Sequence, residues 1–147
     1  MDIETSFDLH PAAVRSLAAW HDMVERKDLR ELASIVHPDA VFRSPMAFKP
    51  YESAQALILV LKTVVTIFED FTYHRRFAGH DGFGVVLEFS AAVDGRKLKG
   101  IDMIRFDKDG LIVDFEVMIR PFSGLQALGA RMGERLGHLL PDYKAKS

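Results

Sequence analysis

Along this chain the spacing of apolar residues changes from helical to strand-like and back again. Val14, Leu17, Trp20 and Val24 recur at three- and four-residue intervals with Arg15, Asp22 and Glu25 between them, which predicts an amphipathic helix over residues 11–26, opened by Pro11. Asp28 is placed to cap a second, shorter helix whose buried stripe is Leu29, Leu32, Ala33 and Val36, with Pro38 enforcing the stop. Residues 39–43 then read as a short strand with Ala40 and Phe42 on one face, ended by Ser44-Pro45. Residues 46–52 hold Pro50 and the aromatics Phe48 and Tyr51, the composition of a loop that covers a pocket. Ser53 caps the helix that follows, apolar on most of its sides.

From Phe71 the period becomes two. Asp81-Gly82, Asp94-Gly95 and Asp109-Gly110 separate the runs, and each dipeptide tolerates the positive φ of a tight hairpin turn. Four meandering strands are expected, joining the earlier short one. Leu125, Leu128, Met132, Leu136 and Leu139 restore helical spacing over residues 124–140, with Ser123 as the cap behind Pro121. Gly129, Gly133 and Gly137 recur every fourth residue there, compatible with close backbone packing or with fraying. The expected architecture is α+β, one domain spanning residues 1–147, with helices on the concave face of a curved antiparallel sheet.

One carboxylate breaks the strand pattern. Alternation puts Leu98, Gly100, Asp102, Ile104 and Phe106 on the inner face and Lys97, Lys99, Ile101, Met103 and Arg105 on the other. The next strand turns Val113, Phe115, Val117 and Ile119 inward. An ionised carboxylate buried without a partner costs several kcal/mol, roughly, so Asp102 must find donors, meet a cavity, or hold its proton. Held protonated it donates to a developing oxyanion; ionised it serves as a base or binds a hydroxylated ligand. A hydrogen bond from the Trp20 indole or a backbone amide would instead make it a structural fixture.

Trp20, Phe42, Phe48, Tyr51, Phe89 and Phe115, with Ile104 and Val117 beside Asp102 and Ser44 at the loop, form the candidate lining of an apolar ligand pocket, although aromatics at this spacing also serve plain packing. His74 and Arg75 are adjacent in a strand, so strict alternation turns one of them inward without saying which; an inward His74 is a candidate base beside Asp102. His21 and His37 lack metal-site spacing and read as solvated or capping residues.

Composition removes several classes. With no cysteine, disulfides, thiolate nucleophiles and zinc-thiolate or iron–sulfur sites are excluded. Nineteen basic against 21 acidic residues leave a formal charge of −2, no footprint for nucleic acid or an anionic membrane. The first eleven residues show neither the basic start nor the apolar core of a secretory signal, so a cytoplasmic location is expected. No metal or cofactor is implied.

The run Gly100-Ile101-Asp102-Met103-Ile104-Arg105-Phe106-Asp107-Lys108-Asp109-Gly110-Leu111-Ile112, set behind a helix–helix–strand start, resembles the NTF2-like superfamily, in particular its SnoaL-like and ketosteroid-isomerase-like branches. The resemblance implies a cone-shaped fold that hosts isomerases, cyclases, hydrolases and non-catalytic binding modules. It implies that Asp102 occupies the place of the acid that donates to the oxyanion, and that Trp20 replaces the oxyanion tyrosine. Ser44 stands where the proton-shuttling aspartate would be, and a serine alone cannot accept and return a carbon-bound proton at neutral pH. Classical steroid isomerisation is therefore not expected, nor is epoxide hydrolysis, since the strand pattern assigns no arginine to the inner face. The resemblance also implies a homodimer through the outer sheet face, where Ile101, Met103 and Met118 mix with Glu88, Glu116 and Arg120. Two functions follow: an enzyme acting on an apolar small molecule through Asp102, or a ligand-binding or dimerisation module in which Asp102 is structural.

Overall fold

A computed structural model describes residues 9–139. The amino-terminal residues 1–8 and Leu140, assigned above to a leader-free start and to the last helix, lie outside the described residues. Helix α1 (Pro11–Arg26) begins with Pro11 in its first turn, where a missing N–H costs nothing, and the His10 side chain accepts from the Ala12 amide. It ends on Lys27 in the left-handed conformation at φ 54°.

The second helix is shorter than its apolar stripe predicts. Asp28 bonds the Arg30 amide and guanidinium instead of capping a helix, and only a 3-10 turn, Leu32–Ile35, forms before β1 (Val36–Arg43). Leu29, Leu32, Ile35 and Val36 are buried all the same, whereas Ala33 faces solvent. Pro38 falls within β1 and does not stop anything. β1 lies at the sheet edge, and its ladder slips between Val36 and Val41, so Pro38 takes no place in the pairing.

Helix α2 (Ala54–Ile67) starts on Ser53, whose hydroxyl accepts from the Ala56 amide at 3.1 Å. Strands β2 (Glu69–Ala78), β3 (Gly84–Val93), β4 (Arg96–Phe106) and β5 (Ile112–Arg120) form the antiparallel meander, with positive φ at Gly82, at Asp94-Gly95 and at Gly110. β1 joins β5 in parallel, giving the mixed order β1-β5-β4-β3-β2. Irregular pairing in β1, in β2 and near the end of β4 bends the sheet. Helix α3 (Phe122–Leu136) packs on β3, β4 and β5, and its cap position is held by Pro121 rather than Ser123.

The helices cover one face of this sheet. One apolar cluster gathers Leu17, Trp20, Phe42, Leu57, Phe106 and Phe115; a second gathers Phe89, Ala91, Val93, Leu98 and Leu128. Tyr73, Val64, Val117 and Met132 touch both. No helix among the described residues is long and apolar enough to cross a membrane.

Candidate functional site

Asp102 lies on the inner face of β4, paired across the ladders with Leu87 on β3 and Val117 on β5, and only 6% of its surface is accessible. Burial without a cation partner pushes its carboxyl up to about 7, although a hydrogen bond from Tyr73 pulls the other way. That bond is short, Tyr73 Oη to Oδ2 at 2.6 Å, and the Trp20 indole N–H donates to the same phenolic oxygen at 2.9 Å. Burial beside Asp102 holds the Tyr73 hydroxyl well above its usual range, so it keeps its proton.

Trp20 and Tyr73 reach the acid for identifiable reasons. Trp20 is one turn beyond Leu17 on the buried face of α1 and packs edge-on against Phe115, ring centroids 5.3 Å apart. Tyr73 faces inward opposite Phe89, and a bulge follows it. Arg76 pairs with Leu87, so His74 and Arg75 together oppose Glu88 alone. Both therefore face outward. His74 meets the Ser90 hydroxyl at 2.7 Å, and the Arg75 guanidinium bonds Glu88 with Nε to Oε1 at 2.9 Å.

The three-residue chain has a direction. An indole nitrogen only donates, so the Tyr73 proton goes to Asp102 while the acid is ionised. When Asp102 takes up a proton it can donate to Tyr73, which then has its own proton free for a third oxygen. Among the described residues no other donor meets the carboxyl, and no sealed side-chain polar atom lacks a partner, so Oδ1 opens to space.

That space is a cavity of about 570 Å³, within the range of small-molecule sites. Its walls are mostly apolar: Trp20 and Val24 from α1, Val60, Leu61 and Val64 from α2, Phe71 and Phe89 from the sheet, Leu128 and Met132 from α3. Gly129 and Gly133 also face it; a Cβ at Gly129 would lie 2.5 Å from Met46 Cε, the end of a flexible, exposed side chain that can move aside. Gly100 is required, because a Cβ there would meet the Met118 carbonyl oxygen and come within 2.7 Å of the Phe89 ring.

Of the residues singled out from sequence, Asp102, Trp20, Phe42, Ser44, Tyr51, Phe89 and Val117 border the cavity. Phe48 does not; it is fully exposed on its loop. Ile104 and Phe115 are buried behind the wall as core. His74 is corrected to the outer face, and with it the expectation of a base from that position. Among the wall residues that the sequence reading did not single out are Tyr73 and His21. Strict alternation puts Tyr73 on the face of Arg75, and the bulge that separates the two is not visible to alternation alone. His21, expected to be solvated, is half-buried in the wall with its ring edge-on to Tyr73 at 5.1 Å. Its position four after Leu17 and three before Val24 was an available signal. Burial first, and the Arg76 charge second, lower the His21 imidazole below its usual 6.5. No group of three or more metal-ligating side chains occurs among the described residues.

A family model described as a SnoaL-like domain matches residues 17–115. The crystal structure of a steroid delta-isomerase from Pseudomonas aeruginosa is similar at 60% identity, covering 92% of this chain and 99% of that one, with a TM-score of 0.88. An uncharacterised bacterial protein with a cystatin-like fold from Silicibacter pomeroyi is 28% identical over 87% of this chain and 91% of its own, TM-score 0.78. The epoxide hydrolase/cyclase-like enzyme SalBIII of pyran ring formation in salinomycin shares the fold at 17% identity, covering 76% of this chain and 92% of its own, TM-score 0.62. No curated protein matches the sequence.

Proposed function

The chain belongs to the SnoaL-like domain family and has its NTF2-like, cystatin-like fold, and from that premise we propose that it is an isomerase acting on an apolar, enolisable ketone of steroid-like size. The observation that carries this reading is the Tyr73–Asp102 pair, set into the wall of a cavity that is otherwise mostly apolar. With Asp102 protonated, a ketone oxygen in the cavity receives a hydrogen bond either from Oδ1–H, while Tyr73 still donates to Oδ2, or from the Tyr73 hydroxyl that Asp102 frees by donating to it, and this bond favours the enolate over the ketone. A proton then leaves the carbon between the carbonyl and a β,γ double bond, the electron pair passes to oxygen, and a proton returns at the far carbon to give the conjugated ketone. The 60% identity to a steroid delta-isomerase supports this choice of reaction class.

The test is conversion of a β,γ-unsaturated 3-ketosteroid to the conjugated ketone, followed by ultraviolet absorbance. The expected result is turnover by the wild-type chain and a fall of ~100-fold or more in Asp102→Leu, with fold retained. A wild-type protein that binds the ketone without converting it is a ligand-binding module, and one that does neither removes the reading altogether. Our reading also includes pairing of two copies through the outer sheet face, where Met103 and Met118 are exposed beside Glu88 and Lys99. Sedimentation at the mass of one 16.6 kDa chain would remove that part.

A further inference from the structure

The isomerase reading leaves one role unfilled. Ser44, at the wall, has no acidity or basicity suited to moving a carbon-bound proton, and its hydroxyl already accepts from the Met46 amide at 3.0 Å. Asp102 cannot do both tasks, since it must hold its proton to donate to the ketone oxygen. The ionisable side chains remaining around the cavity are His21 and Glu25 on α1, Lys27 at its C-cap, and Tyr51, whose hydroxyl burial keeps protonated. Glu25 and Lys27 are exposed, whereas His21 is half-buried.

We propose that His21 is the proton acceptor and donor of this site, taking the proton from the carbon beside the carbonyl and returning it to the far carbon. The inference rests on the isomerase reading and adds to it the residue that the change at Ser44 removes. Its geometric basis is the edge-on contact of the His21 ring with Tyr73, centroids 5.1 Å apart at 83°. The phenol of the pair that binds the ketone oxygen therefore carries the imidazole on its flank, and the acidic carbon is only two bonds from that oxygen. One hydrogen-bonded anchor then sets both distances. Among the described residues no hydrogen bond engages a ring nitrogen of His21, which lines the cavity.

The charge arrangement suits the role. Arg76 faces His21 from β2, Tyr73 from the same strand stays neutral, and Glu25 lies one turn along α1. Burial and Arg76 keep the imidazole neutral at physiological pH and so ready to accept. The same surroundings make the imidazolium a willing donor in the second half of the reaction. Atoms balance without any co-reactant: the proton leaves carbon for nitrogen, the electron pair moves to oxygen, and both return with the double bond displaced.

The experiment compares wild type, His21→Gln, His21→Glu and Glu25→Gln with a β,γ-unsaturated 3-ketosteroid deuterated at the carbon between the carbonyl and the double bond. Three quantities are read: kcat, deuterium transfer to the far carbon, and affinity for the saturated ketone analogue. The expected result is that His21→Gln lowers kcat by ~100-fold or more and abolishes transfer, while analogue affinity stays within ~3-fold, which also shows an intact fold. His21→Glu restores part of both, and the acid limb of its kcat–pH profile moves toward the carboxylate range. Full transfer in His21→Gln, or loss in Glu25→Gln alone, overturns the assignment and leaves the isomerase reading standing. A wild type that neither converts the ketone nor transfers deuterium overturns both.

Discussion

Tyr73 donates its hydroxyl proton to Oδ2 of Asp102 across 2.6 Å, and it is the single side chain among the described residues that hydrogen-bonds this buried acid. One neutral donor does not offset the loss of water around a carboxylate, and the acid sits at about 7 against its usual 3.8. A raised acid is a stability cost that grows with pH. Between about 4 and about 7 the unfolded chain is ionised while the folded chain keeps its proton, so the folded state binds more protons and stability falls as pH rises. Three pKa units correspond to roughly 4 kcal/mol, fully lost above the folded value.

Asp102→Asn should therefore stabilise the protein at pH 8 by about 2–4 kcal/mol and change little at pH 4. The amide oxygen can still accept from Tyr73, and its NH2 takes the place of the oxygen open to the cavity. Urea denaturation of the two proteins at both pH values checks this. A variant less stable than wild type at pH 8 would make Asp102 a structural fixture after all.

Tyr73→Phe removes the centre of the chain and leaves both the Trp20 indole N–H and the carboxyl without a partner. Each orphaned buried group costs about 1–3 kcal/mol. The carboxyl also loses the one interaction that lowers its pKa, so it titrates above 7 and the stability loss is larger at pH 8 than at pH 5. Thermal melts across that range, with a titration of Asp102 by carboxyl-carbon NMR, measure both effects. An unchanged carboxyl titration in the variant would contradict the chain as described.

The inward Asp102 was legible in the sequence because β4 alternates without interruption and the Asp94-Gly95 and Asp109-Gly110 turns fix its ends. The number of strands was legible for the same reason. What surrounds the acid was not. Two residues of β2 oppose one of β3 at Glu88, which turns His74 outward with Arg75, and nothing in a period-two reading marks where such an extra residue falls. The edge position that lets Pro38 lie within β1 is likewise a property of strand order, set by the parallel pairing of β1 with β5 across 70 residues of sequence distance or more. Helix-facing information was better preserved: the Leu17–Trp20–Val24 stripe also carries His21 at its margin.

Gly100→Ala tests how the sheet makes room for the cavity. An added Cβ would meet the Met118 carbonyl oxygen, which is backbone and cannot give way, and would press on the Phe89 ring from 2.7 Å. The ring's escape route is the cavity it borders. The expected outcome is a destabilisation of about 1–3 kcal/mol together with weaker binding of an apolar ketone, read by denaturation and by ligand fluorescence or calorimetry. Unaltered binding in a folded Gly100→Ala protein would show that the Phe89 wall does not contact ligand.

Glu88 gives the pH profile its other limb. Its side chain is 9% accessible on the outer face, and hydrogen bonds from Arg75 first and Lys99 next hold its carboxyl at about 2 against a usual 4.5. Here the sign is opposite to that of Asp102. Below 4.5 the unfolded chain takes up a proton that the folded chain refuses, so stability is present above that pH and is lost as pH falls toward 2. Asp28, held at about 2 by Arg30, acts in the same direction. Stability should thus peak between about pH 4 and 5, on the acid side of neutrality. Glu88→Gln should flatten the acid limb in part, since Asp28 remains, and leave the decline toward pH 7 untouched; Asp102→Asn should do the reverse. The two carboxylates point to opposite faces of the sheet and share no partner, so the double variant should show the sum of both changes. Melting temperatures of the four proteins from pH 3 to pH 8 decide it, and a maximum near pH 7 in the wild type would mean that Asp102 is ionised in the folded protein and holds no proton for the ketone oxygen.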